Sequence, residues 1–202
     1  MRADFSPKDM SSLDFYKLLT SVIIPRPIAW VSSTSADGTD NLAPHSFFTV
    51  ASTKPPIVQF TPTARKDTLN NVEATGEFVV NFAAEELFSK VNDTGTNFPP
   101  EMSEFDAAGL TREPSLAVRP PRVAESPVAL ECRLHEVIPV GNSFLVLGEV
   151  VHAAVRTDML SGSHPESRRL KPLARLGRNE WSTLGEILEI ARIPYSEWEQ
   201  RP

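Results

Sequence analysis

Apolar positions along this chain mostly alternate with polar ones or gather in short runs, which is the spacing of strands. RPIAWVSS, Arg26 to Ser33, reads as a strand, strengthened by Trp30 and Val31. ADGTD, Ala36 to Asp40, carries an Asp-Gly hairpin signal. NLAPHSFFTVAS, Asn41 to Ser52, mixes loop and strand, and its start reads as a polar loop holding Asn41, His45 and Ser46. Pro44 keeps Ala43 extended. Lys54, Pro55 and Pro56 end that element, and Ile57 to Phe60 forms the next strand. EFVVNF, Glu77 to Phe82, is another. Val128 to Ile138 and Phe144 to Val155 flank the tight turn PVGN and form a hairpin.

Helical spacing is brief. Leu13 to Leu19 supports one or two turns, and Glu104 to Leu110 supports another. Lys66 to Thr75 places Leu69 and Val72 three apart, with Asp67 or Thr68 as cap and Gly76 as stop. Ala84 to Asn92 puts Leu87, Phe88 and Val91 on one face. Thr183 to Ile190 also reads as a short helix. Thr94 to Pro100 and Ser161 to Pro172 read as loops. No regular exchange of strands with long helices occurs, so an antiparallel barrel, which closes its own edges, is preferred to a doubly wound sheet.

Composition narrows the class. With 202 residues and 41% hydrophobic content, the chain can bury one substantial core. Its 18 prolines favour short strands and fixed turns. Net charge is −6, with both signs interspersed except in the short SRRLKPLARLGR, which argues against bulk binding to nucleic acid or an anionic membrane. One cysteine, Cys132, excludes an internal disulfide. No signal-peptide or membrane-span pattern occurs, so the expected setting is soluble and cytoplasmic.

Candidate chemistry sits early in the chain. Thr68 and the free amides of a helix start can bond phosphate oxygens, and Arg65 or Lys66 can add charge-assisted contacts. Residue chemistry alone favours a solvent-facing charged turn with an ordinary cap over that site. Asn41, Ser46 and the amides around Ala43 to Ser46 can meet a planar polar ligand; the same stretch also fits a hairpin packed by Phe47 and Phe48. Trp30 can flank a ring or simply fill a core. His45, His135, His152 and His164 share no metal-ligand spacing, and no metal site is expected. Rossmann, Walker A and G-x-S-x-G motifs are absent.

Taken in order, RPIAWVSS, DG, NLAPHSFF, PP, RKDTLNN and GEFVVN resemble the flavin reductase-like, FMN-binding split-barrel family. The likeness runs from Ser21 to Ile190 and includes PVGN, GEVVHAAV and PLARLGRNEW. It implies a mainly β, six-stranded antiparallel Greek-key split β-barrel with short peripheral helices over residues 21–202, and an extension over 1–20 packing on the barrel. It implies non-covalent FMN near the interface of a homodimer, and hydride from NADH or NADPH. The flavin carries the redox chemistry, so no protein nucleophile is expected. By motif position it places Trp30, Ser32, Ser33, Thr34, Asn41, Ala43, Pro44, His45 and Ser46 beside the flavin, and Arg65, Lys66 and Thr68 on its phosphate. RLGRNEW resembles a closing RLGG-x-x-Y element, supplying Arg175, with Arg178 in place of the second glycine and Trp181 in place of the tyrosine.

The resemblance implies reduced flavin handed to a monooxygenase or another acceptor. Two other functions use the same sequence: an FMN-dependent electron-transfer or small-molecule oxidoreductase without flavin reductase activity, and a structural or interaction protein without flavin.

Overall fold

The computed structural model describes residues 1–99 and 101–201. The chain enters through α1 (Ser12–Val22), longer at both ends than its spacing predicts; Ser11 caps its start, accepting from the Asp14 amide at 3.1 Å. There follow β1 (Arg26–Pro27), β2 (Ala29–Thr34), β3 (Asp40–His45), β4 (Phe48–Thr53) and β5 (Pro56–Phe60). Next come α2 (Asp67–Thr75), β6 (Glu77–Phe82), a 3-10 turn, α3 (Phe88–Asp93) and α4 (Glu104–Ala107). After them lie β7 (Arg112–Glu113), β8 (Arg122–Val123), and the long hairpin β9 (Val128–Val140) and β10 (Ser143–Val155). Short elements finish the chain: β11 (Leu160–Ser161), β12 (His164–Pro165), α5 (Ser167–Leu170), β13 (Ala174–Arg175), β14 (Trp181–Ser182) and α6 (Tyr195–Trp198).

The protein is mainly β, 36% strand against 22% helix. Its main sheet has seven strands in the order β3-β2-β6-β9-β10-β5-β4, where the resemblance implies six. The pairings along it are antiparallel. A separate sheet, β1-β13-β14, joins the strand before β2 to two short strands over residues 174–182.

Several elements differ from their sequence reading. The stretch from Asn41 to His45 is strand, paired with β2 from Ala29↔His45 to Thr34↔Asp40, so the polar loop is only Ser46 and Phe47. The cap of α2 is Lys66, with no side-chain bond; neither Asp67 nor Thr68 caps it. Residues 183–190 are not helical, and Leu188 and Ile190 stay exposed: the apolar spacing there has no surface to bury against. Phe88 is exposed while Leu87 and Val91 are buried. The segment read as loop over 161–172 contains β12 and α5. Pro100, the end of the other expected loop, and Pro202 lie outside the described residues.

Two buried clusters sandwich the sheet. Ala29 and Val31 of β2 pack with Val58, Phe60, Leu69, Val72, Phe78, Val80, Cys132 and Val146. Trp30, between them, packs on the opposite side with Ile28, Leu42, Leu87, Val91, Phe105 and Leu173. Thus β2 is buried on both faces, and Leu69 and Val72 hold α2 against the first cluster as their spacing predicts. Gly76 stops α2 in the left-handed conformation, φ 72°. Gly148 lets β10 pass the Phe78 ring, since a Cβ there would lie 2.2 Å from its Cζ.

Candidate functional site

Two adjoining cavities lie beside β3. The larger, about 520 Å³, is walled by Asn41 and Ala43–His45 of β3, the loop 62–66, the first turn of α2, the loop 94–98 and Glu104. The smaller, about 300 Å³, is lined by Ile28, Pro44, Ser46, Asn92, Gly95, Arg175, Asn179 and Trp181. Pro44 and Gly95 border both.

β3 is an edge strand, so one row of its backbone groups faces away from β2. The Leu42 amide on that edge donates to Glu104 Oε2 at 2.9 Å. Two residues on, on the same edge, Pro44 has no amide to offer. Burial raises the pKa of Glu104, and the Asp67 charge adds to it, against the Leu42 amide.

The α2 end of the larger cavity is rich in donors. With no side-chain cap at Lys66, the first amides of the helix have no capping side chain, and their residues line the cavity. Thr68 is buried, and its Oγ1 accepts from Asn41 Nδ2 at 3.0 Å, which leaves the hydroxyl hydrogen to donate. Lys66 Nζ reaches Asn97 Oδ1 at 2.7 Å and has no carboxylate partner among the described residues. Arg65 is differently placed. Both its terminal nitrogens engage Glu73, and its guanidinium lies 4.9 Å from the Phe144 ring centre.

His45 lies 4.9 Å from Phe60, centre to centre, and its Nε2 is buried without a partner among the described residues. Burial, and then the Lys66 charge, push its pKa down to about 4, so the imidazole is neutral at pH 7.

Asn41, Ala43, Pro44, His45, Arg65, Lys66 and Thr68 are thus brought together at the larger cavity. Trp30, Ser32, Ser33 and Thr34 do not line it. Ser32 donates to Pro121 O at 2.5 Å, Ser33 accepts from Asn71 at 3.2 Å, and Thr34 donates to Asp40 at 2.7 Å. Trp30 Nε1 donates to Thr94 Oγ1 at 2.8 Å and so fixes one end of the 94–98 wall. Ser46, Arg175 and Trp181 belong to the smaller cavity, and Arg178 lines neither. Sequence reasoning missed Asn97, Glu104, Asn92 and Asn179. The polar, glycine-containing run Thr94 to Asn97 was the one local signal for that wall.

The small sheet holds the second cavity in place. Arg26 donates to the Thr20 carbonyl, to Ile23 O at 2.9 Å and to Leu176 O at 2.7 Å, tying the end of α1 to the loop between β13 and β14. Gly177 lies so close to α1 that a Cβ would sit 2.5 Å from Ser21 Oγ. Arg178 takes φ 52°, a left-handed conformation that glycine would adopt without strain.

The flavin reductase like domain model matches residues 21–173. Among solved structures, nitrilotriacetate monooxygenase component B from Bacillus cereus is 34% identical with a TM-score of 0.92, covering 94% of this chain and 99% of its own. The 2-nitrobenzoate 2-nitroreductase of Pseudomonas fluorescens is 28% identical, TM-score 0.84, covering 95% and 96%. A split-barrel domain protein from Shewanella frigidimarina, 22% identical with a TM-score of 0.82 over 96% of this chain and 100% of its own, shares the fold. No helix among the described residues is long and apolar enough to cross a membrane.

Proposed function

We propose that this chain, which belongs to the flavin reductase like domain family, binds FMN non-covalently in the larger cavity and takes electrons from NADH or NADPH. The observation that carries this reading is the start of α2, where uncapped amides, Thr68 and a Lys66 with no carboxylate partner among the described residues converge on one end of a cavity of about 520 Å³. That donor set fits a phosphate, and the orphaned, buried His45 Nε2 fits a polar ring edge further along the cavity.

FMN, when bound, would supply the two-electron redox chemistry. The residues would bind and orient it. Lys66 and the first amides of α2 hold the phosphate, with Thr68 donating its remaining hydrogen. Asn41 fixes that hydroxyl from β3. His45, neutral because it is buried, offers a hydrogen bond without adding charge. Glu104 keeps the β3 edge straight through the Leu42 amide.

Relatives carrying monooxygenase-component and nitroreductase names support two fates for the electrons. Reduced flavin is released to a partner oxygenase, or it stays bound and reduces an organic acceptor. The smaller cavity, contiguous with the larger, favours the second as an added capacity. Exposed Leu13, Tyr16, Leu19, Val22, Ile23 and Ile24 on and just after α1 support pairing with a second copy.

The test is anaerobic reduction of FMN-loaded protein by each nicotinamide, with and without excess free flavin. Loss of the visible flavin band supports the reading, and turnover that requires free flavin identifies release. A protein that takes up no FMN, or holds FMN that neither donor bleaches, overturns it.

A further inference from the structure

We propose that the smaller cavity is a binding subsite for planar aromatic carboxylates, with Arg175 selecting their charge and Trp181 receiving their ring. As a substrate subsite it rests on the reading of the adjoining cavity as the flavin site; as a binding site it stands on its own residues.

Arg175 and Trp181 face each other across the β13–β14 pair. The guanidinium carbon stands 4.7 Å from the centre of the indole, and Nη2 donates to the Arg178 carbonyl at 2.8 Å. These two contacts orient the planar group. They leave most of its five N–H donors for a ligand, in the fork that matches a carboxylate. Trp181 is itself braced edge-on by Phe88, ring centres 5.2 Å apart.

Charge decides the ligand class. No carboxylate residue lines this cavity, and Arg175 has no acidic partner among the described residues. A second guanidinium, Arg26, is close enough that Arg175 adds to the lowering of its pKa that burial begins. Two neighbouring cations in a partly buried place, neither with an acidic partner among the described residues, are stabilised by an arriving anion and gain nothing comparable from a neutral molecule. Shape decides the rest. Ile28, Pro44 and Trp181 give apolar walls, and about 300 Å³ is the lower end of small-molecule sites, room for one substituted ring. The shared border at Pro44 and Gly95 sets that ring beside the larger cavity.

The experiment titrates benzoate and its neutral isostere benzamide into FMN-loaded protein, reading the flavin spectrum and tryptophan fluorescence. Wild type should bind benzoate at least about tenfold more tightly than benzamide. Arg175→Gln should abolish that preference while leaving FMN affinity unchanged, Arg175→Lys should retain part of it, and Trp181→Phe should remove the fluorescence response. Equal affinity for the two ligands in wild type, which needs no variant, overturns the proposal, as does a preference that survives Arg175→Gln. Benzoate quenching is repeated on flavin-free protein. An Arg175-dependent preference in a protein that takes up no FMN sinks the flavin reading and keeps the carboxylate site. FMN that binds and bleaches without any such preference does the reverse.

Discussion

Replacing Lys66 with alanine should weaken FMN binding far more than the same change at Arg65, although the two are adjacent and both basic. A charge-assisted hydrogen bond contributes about 1.5–3 kcal/mol, which is about 10- to 150-fold in Kd. Lys66 can give that in full, because among the described residues its ammonium meets only the neutral Asn97 amide. Arg65 cannot. Its charge is already matched by the Glu73 carboxylate, its side chain is 50% exposed, and its planar face covers Phe144. Its removal should change affinity by less than about 1 kcal/mol, roughly fivefold. Titrating flavin-free protein with FMN and with riboflavin at fixed ionic strength separates phosphate recognition from ring recognition. Wild type and Arg65→Ala should prefer FMN, and Lys66→Ala should nearly lose that preference. Glu73→Ala, which frees Arg65, should strengthen FMN binding a few-fold. The reasoning fails if Arg65→Ala costs as much as Lys66→Ala, or if neither variant alters the FMN-to-riboflavin ratio.

Three further outcomes follow from burial. Gly148→Ala drives a methyl into the fully buried Phe78 ring and should destabilise by about 1–3 kcal/mol in a urea melt, with partial recovery when Phe78→Leu is added. His45 titrates at about 4 in the folded protein against 6.5 as its ordinary value. The unfolded chain therefore binds the extra proton between those pH values: stability from this group is complete above about 6.5 and falls as pH drops towards 4, by about 2 kcal/mol at pH 5. His45→Phe should flatten the denaturation midpoint between pH 5 and pH 7, and an unchanged slope would refute the assignment. Burial alone would raise the pKa of Glu131, but the Leu116 and Ala117 amides and Arg122 outweigh it and hold the carboxyl below its ordinary 4.5. Its contribution is therefore present above about pH 4.5 and is lost as pH falls through the lowered folded value. Glu131→Gln leaves Arg122 only its partner Glu113 at 3.2 Å and should cost about 3–5 kcal/mol at neutral pH in thermal melts.

Much of this architecture is legible along the chain because it is made by neighbours. Alternation and the Asp-Gly turn give the β2–β3 hairpin, PVGN gives β9–β10, and the Leu69–Val72 pair with Gly76 gives α2. What escapes depends on contacts between distant segments. Ser32, Ser33 and Thr34 look like hydroxyls beside a ligand, but β2 is covered on both faces and they are bound to Pro121, Asn71 and Asp40. Arg65 looks like the phosphate cation until the turn of α2 brings Glu73 to it. Residues 183–190 have helical spacing and no surface to pack on. Asn97 and Glu104 wall the larger cavity from more than twenty residues beyond the end of α2, and Arg175 and Trp181 meet only because two short strands pair.

The Arg26 clamp and the close pass of Gly177 over Ser21 join two stretches that lie largely outside the matched domain, α1 before it and β13–β14 after it. These two stretches are therefore coupled to each other through Arg26 and the contact at Gly177. A C-terminal segment grafted from a relative should seat only when its own α1 travels with it, because a side chain at position 177 and the residue at position 21 must be chosen together. Changing the wall that Arg175, Asn179 and Trp181 give the second cavity is then a problem of matching that stretch to α1, and it can proceed without touching α2.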